Sequence, residues 1–346
     1  MSQAKETIFA TVLASLCFCS TATGSAQNQS ASSGDPHQTP IAADFQMKRC
    51  VNMSNALEAP NGNSWGRLYT VEDYERIAAA GFDTVRIPVR WSDYTGPAPT
   101  YRIHPDFAEV VDNNIRWALR HDLNIVLNVH HFEEIMDDPD KQRARYQALW
   151  DQISLRYSQL PDNVWFEALN EPNNNLSGAQ MRRFQALALQ IIRGDNPDRI
   201  VILGGEEWSG INSLGSNLAT DDANVVYTFH YYDPFDFTHQ KAEWLGEAMP
   251  EGSRGWGSRN DQNALANAVE IAVGFREAVQ RPVFLGEFGV HAPVEHRERV
   301  EWVSAVKTAM EAANIPWCLW GYANTFALYE DESGWDEVML EALTGD

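Results

Sequence analysis

Two glutamates, Glu171 and Glu287, each follow an apolar stretch of strand length: residues 164–169 run into Asn170-Glu171-Pro172, and residues 282–285 run into Gly286-Glu287-Phe288-Gly289. A carboxylate set directly after a buried strand loses hydration, which costs stability unless a partner or a reaction retains it. Two such carboxylates can divide acid and base work. One keeps a proton near neutral pH and gives it to a leaving oxygen, while the other stays ionised and attacks carbon, the division that glycoside hydrolysis requires. Arg86 falls inside another apolar stretch, residues 84–89, and a permanent cation there needs an anionic partner. Glu287 can be that partner and hence the ionised member. Glu171, near that charge and among aromatic side chains, is then the acid.

These residues need a frame that brings distant strand ends together. Strand-length apolar stretches occur at residues 49–53, 84–89, 124–129, 164–169, 200–203, 225–229, 282–285 and 316–320. Segments with helical periodicity separate them, at 71–80, 105–121, 141–157, 178–193, 265–279 and 296–313, with a shorter stretch near 211–218. Near-continuous apolar strands alternating with helices imply a parallel sheet covered on its outer face. Eight such units close into a (β/α)8 TIM barrel of the α/β class, a single domain over residues 45–346. Barrel enzymes react at the C-terminal ends of their strands. Besides the two glutamates, those ends carry His130-His131, His230-Tyr231-Tyr232 and Trp320, whose indole is a flat apolar face on which a pyranose ring can stack.

Other chemistries are not signalled. No G-x-G-x-x-G turn follows the first strand, and no G-x-S-x-G or G-x-x-x-x-G-K motif occurs. His130, His131, Glu133 and Glu134 superficially suggest a metal site, but the histidines are adjacent and no H-E-x-x-H is present, so neither metal nor cofactor is expected. The 48 acidic against 26 basic residues give a formal charge of −22, which disfavours nucleic acid and anionic membranes as partners and suits a neutral substrate.

Residues 1–26 combine Lys5, an apolar run from Ile8 to Cys19 and small residues up to Ala26, the pattern of a secretory signal peptide. Residues 27–44 read as a flexible leader, and the expected product is a secreted, monomeric protein. Cleavage after Ala26 leaves Cys50 and Cys318, in the first and last strands. Two buried thiols are expected there, with a disulfide as the alternative.

Taken in order, Thr84-Val85-Arg86-Ile87-Pro88-Val89, Asn128-Val129-His130-His131, Leu169-Asn170-Glu171-Pro172, His230-Tyr231-Tyr232 and Gly286-Glu287-Phe288-Gly289 resemble glycoside hydrolase family 5 over residues 45–345. Asn55-Ala56-Leu57-Glu58-Ala59-Pro60 and Thr238-His239-Gln240 look like its bacterial endoglucanase branch, some members of which accept mannans. The resemblance implies Glu171 as acid/base and Glu287 as nucleophile. It further implies Asn170 on the sugar 2-hydroxyl, Arg86 and Tyr232 holding Glu287, His230 orienting Glu171, His130 and His131 on the reacting sugar, and Trp320 beneath it. Asn55, Glu58, His239 and Trp244 match substrate contacts of that branch. The implied activity is retaining endo-β-1,4-glucanase action on a β-linked polysaccharide. Mannan or mixed-linkage glucan, transglycosylation and a non-catalytic carbohydrate-binding barrel are the alternatives. Cys50 and Ser54 stand where such relatives usually have small residues or glycine, and Gly321 stands where an acidic residue is common.

Overall fold

The computed structural model describes Ala42, residues 45–250 and residues 253–345. The expected signal peptide lies outside the described residues, as does all of the expected leader except Ala42. Eight strands, β1 (Arg49–Asn52), β2 (Thr84–Ile87), β3 (Asn124–Asn128), β4 (Val164–Glu167), β5 (Val201–Gly204), β6 (Val225–His230), β7 (Val283–Phe288) and β8 (Trp317–Leu319), close a barrel in chain order. All neighbouring pairs are parallel, including β1 with β8. This is the (β/α)8 TIM barrel expected from the alternation.

Helices Val71–Ala79, Pro105–Arg120, Pro139–Arg156, Gly178–Asp195, Arg259–Val279 and His296–Ala312 cover the sheet. Two of them start earlier than apolar periodicity indicates, because their first turns are specified by caps rather than by buried faces. Asp138 accepts from the Lys141 amide ahead of Pro139 at the first helical position, and Ser258 with Asp261 forms a reciprocal capping box. After β5 the covering helix shrinks to the short turns Glu206–Ser209 and Ile211–Ser216. A two-stranded hairpin, Tyr329–Glu330 with Gly334–Trp335, and a last helix, Glu337–Thr344, follow β8. No helix among the described residues is long and apolar enough to cross a membrane.

Strand alternation sorts the core into two layers. Side chains such as Val51, Val85, Ile125, Phe166, Leu203 and Phe229 pack against the helices. The alternate set points into the barrel, where Cys50, Val126, Trp165, Ile202, Val226, Phe284 and Cys318 form a buried apolar plug joined by Ala42. Two residues further along several strands the inward positions become polar and stay buried: Asn52, Arg86, Asn128, Glu167 and Thr228. The barrel interior is thus apolar below and charged near the C-terminal mouth.

Cys50 and Cys318 are register partners on β1 and β8 with Cα atoms 4.1 Å apart, and they form a disulfide. This corrects the expectation of two free thiols: barrel closure makes the two positions register partners on adjacent strands and aims both side chains into the same apolar plug. The two other departures from the family pattern compensate each other. A Cβ on Gly321 would lie 1.9 Å from the Ser54 hydroxyl, which donates to the Ala323 carbonyl, so Ser54 occupies the place of a side chain at position 321.

Candidate active site

The site is built around Arg86, fully buried on β2. Its Nε and Nη2 donate to the two carboxylate oxygens of Glu167, both at 2.7 Å. Nη1 donates to Asn52 Oδ1 at 2.8 Å and to Glu287 Oε1 at 2.7 Å, and Nη2 also donates to Asn170 Oδ1 at 2.6 Å. All five donors of the guanidinium are therefore used, which fixes its plane. Arg86 does hold Glu287, as the sequence implied, but its bidentate partner is Glu167. Alternation places Glu167 inside the barrel two residues beyond Trp165, facing β2 across β3. The signal was a lone charge within the apolar stretch at 164–169, the same signal that singled out Arg86.

Glu287 lies within β7 rather than beyond its end, because the strand continues to Phe288. Its second oxygen accepts from the Tyr232 hydroxyl at 3.0 Å. Gly286 beside it admits no side chain, since a Cβ there would lie 2.4 Å from Thr228 Oγ1. Across the mouth, Glu171 Oε1 is hydrogen-bonded to His230 Nδ1 at 2.7 Å, and the same nitrogen is 3.6 Å from Glu287 Oε2. One oxygen of each glutamate and a His230 nitrogen all lie within 4.8 Å of one another.

The electrostatics divide the two acids. Burial pushes Glu171 up to about 8, with Arg86 opposing and Glu167 assisting. Burial also raises Glu287, with the contacting Arg86 opposing and Glu171 assisting. Burial takes His230 down to about 4 and His131 to about 3, and it lowers His130 well below its usual range. Near neutral pH, Glu171 accordingly carries a proton, while Glu287 is the acid that Arg86 contacts directly. The three histidines are neutral there, each able to donate a hydrogen bond through one ring nitrogen and accept one through the other.

A cavity of about 410 Å³ opens over these groups, lined by both glutamates, His130, His131, Tyr232 and Trp320. His130 and Trp320 face each other with rings 7° from parallel and centroids 5.6 Å apart. Asn55, His239 and Trp244 line the same cavity. Asn55 takes a left-handed conformation that asparagine tolerates, and it accepts from Thr325 Oγ1 at 2.6 Å. Trp65, one of several mouth-loop tryptophans that the sequence could not sort into sugar platforms and packing, also lines it, as do Thr325 and Phe326, which were not singled out from sequence. They come from loops, where no period marks a residue as facing the mouth. Asn170 and Glu171 border a second cavity of about 390 Å³ with His131 and Trp208, so Glu171 stands between two recesses. The Trp208 loop is held against the acid's own turn: the Trp208 amide donates to the Pro172 carbonyl at 3.1 Å, and Ser209 Oγ to that of Asn170 at 2.8 Å.

Glu58 requires a correction. It is fully buried and turned back on its own loop, accepting from the backbone amides of Asn55 and Ala56, and it lines neither cavity. Its acceptors satisfy the tight turn that carries Asn55, so it supports the cavity wall from behind rather than lining it.

Residues 43–325 match the family model for cellulase, glycosyl hydrolase family 5. Endoglucanase H of Acetivibrio thermocellus is 32% identical over 320 residues, which is 89% of this chain but 34% of that protein, so the chain spans about a third of it. Endoglucanase C of the same organism is 27% identical, covering 76% of this chain and 87% of that one. Structures of Thermotoga maritima Cel5A in complex with mannotriose and with cellobiose superpose with TM-scores of 0.84 and 0.83, at 36% and 37% identity, each covering 88% of this chain and 99% of that chain. The motif order, the closed eight-stranded barrel, the paired glutamates at its mouth and these likenesses agree, and the chain belongs to glycoside hydrolase family 5.

Proposed function

We propose that the protein is a retaining endo-β-1,4-glucanase. The observation that carries this reading is the separation of the two acids: carboxylate oxygens within 4.8 Å suit direct attack by one of them, whereas an inverting pair needs a gap of roughly 6.5–9.5 Å for a water. Glu287, aimed by Arg86 and Tyr232, attacks the anomeric carbon while Glu171 passes its proton to the departing glycosidic oxygen. The carbon–oxygen bond breaks as the ester to Glu287 forms. Glu171, now a carboxylate, takes a proton from water, whose oxygen displaces Glu287 and leaves the sugar with its original configuration. His230 keeps Glu171 in place through both steps and stays neutral.

Cleavage within a chain is supported by the recesses on both sides of Glu171 and by exposed Trp208 and Trp244 near them. The relatives named endoglucanases favour glucan. A second reading, mannan or glucomannan as an equal substrate, is favoured by one relative having been captured with both mannotriose and cellobiose. We further propose that the chain is exported after loss of residues 1–26 and acts as a monomer. The amino-terminal residue and mass of the secreted product test both.

Reducing-end release on carboxymethylcellulose, barley β-glucan and glucomannan, measured side by side, tests the substrate. Glu171→Gln and Glu287→Gln should each lower kcat by several orders of magnitude while oligosaccharide binding persists. Release from mannan alone would refute the glucanase reading, and binding without release by the unaltered protein would reduce it to a carbohydrate-binding barrel.

A further inference from the structure

Glu167 is a buried carboxylate that lines neither cavity, and the reaction above does not use it. It nevertheless makes the closest two-point contact in the site, binding Arg86 through both oxygens at 2.7 Å, with a third, longer bond of 3.4 Å from Asn128 Nδ2. We propose that Glu167 is a positioning residue of the reaction: it locks the plane of Arg86 toward Glu287 and offsets part of the guanidinium charge, so that Glu287 receives a directed hydrogen bond without facing the full cation alone. This inference rests on the glycosidase reading of the site.

The argument is one of geometry and charge count. Arg86 has three acidic or amide partners besides Glu287: Asn52 on β1, Glu167 on β4 and Asn170 just after it. Only Glu167 and Glu287 among its partners carry charge. Without Glu167, one full positive charge would face the nucleophile alone across 2.7 Å, a close ion pair in a water-poor setting. Such a pair lowers the energy of the resting carboxylate and so weakens its attack. It would also reach Glu171, whose proton affinity Arg86 lowers and Glu167 raises. The other titratable groups around Glu287 are Tyr232 and His230 from β6 and its following turn, Glu171 after β4 and Glu58 in the loop after β1. None of these four touches Arg86 through a hydrogen bond.

The test is the pH dependence of kcat/KM for β-glucan cleavage by the full chain. Glu167→Gln keeps the shape but removes the charge, and both limbs of the profile should move to lower pH, on the order of one unit, with a lower plateau. Glu167→Asp keeps the charge, so its limbs should stay at the unaltered positions even where its plateau falls. A purely structural role would lower the plateau of both variants without moving either limb, and that result overturns the proposal. Circular dichroism reports whether each variant folds. Should Glu167→Gln not fold, a shift of about one unit to lower pH in Glu167→Asp overturns it equally. Absence of turnover by the unaltered chain would instead refute the glycosidase reading, so the two failures are distinguishable.

Discussion

Removing a single oxygen from Tyr232 should move the acid limb of the reaction upward. Tyr232→Phe deletes the hydroxyl that donates to Glu287 Oε2 at 3.0 Å and leaves the ring against His239 and Phe326, at centroid distances of 5.0 and 6.2 Å. A hydrogen bond to a charged group contributes about 1.5–3 kcal/mol, and one pKa unit corresponds to about 1.4 kcal/mol, which brackets the shift at roughly one to two units. The bond is at the long end for O–H···O, so about one unit is expected. The sign follows from the state that is stabilised. Tyr232 favours the ionised form of Glu287, so without it the proton is held more tightly and activity is lost at a higher pH on the acid side. Initial rates on β-glucan at substrate concentrations below KM, taken across pH, give kcat/KM directly. The alkaline limb, which belongs to Glu171, should stay in place. An acid limb that is unmoved or moves downward would refute the assignment of Glu287 as the group that must be ionised.

Two further outcomes follow from the same geometry. In the unaltered protein, kcat/KM should fall as pH rises through about 8, because Glu171 must hold its proton to expel the leaving group; a profile flat to well above that value would contradict its role as the acid. Replacing Cys50 and Cys318 together by alanine removes a link between residues 268 apart in sequence, and should cost about 2–5 kcal/mol of stability, read as a lower Tm, with activity at about 25 °C retained because neither cysteine reaches the cavity. Two free thiols found by mass after purification without reductant would contradict the link.

The barrel was legible because its strands are buried on both faces and announce themselves as eight apolar runs, and because their C-terminal ends are where polar residues interrupt them. What the runs concealed lay inside them. Glu167 sits in the middle of one, and its pairing with Arg86 requires knowing that β2 and β4 place their inward positions at the same height. Glu58 lies among residues that match substrate contacts, yet its side chain folds back to serve the Asn55 turn, a local backbone demand that a motif does not display. The cysteines illustrate the same limit from another side: neighbouring strands could be inferred, but the shared register that brings Cα atoms to 4.1 Å could not. Thr325 and Phe326 reach the cavity from a segment whose course is set by tertiary contacts, and Trp65 could be placed in a mouth loop but not told apart from a packing residue. Helix starts at Pro139 and Arg259 are specified by caps, so a search for apolar period alone begins them late.

The most direct test of two acids acting on one bond is the configuration of the first sugar released. Proton NMR of the anomeric region during the first minutes of β-glucan hydrolysis, before mutarotation, should show the β-anomer appearing first, as attack by Glu287 followed by water requires. Initial appearance of the α-anomer would mean a single displacement by water, and would contradict Glu287 as the nucleophile.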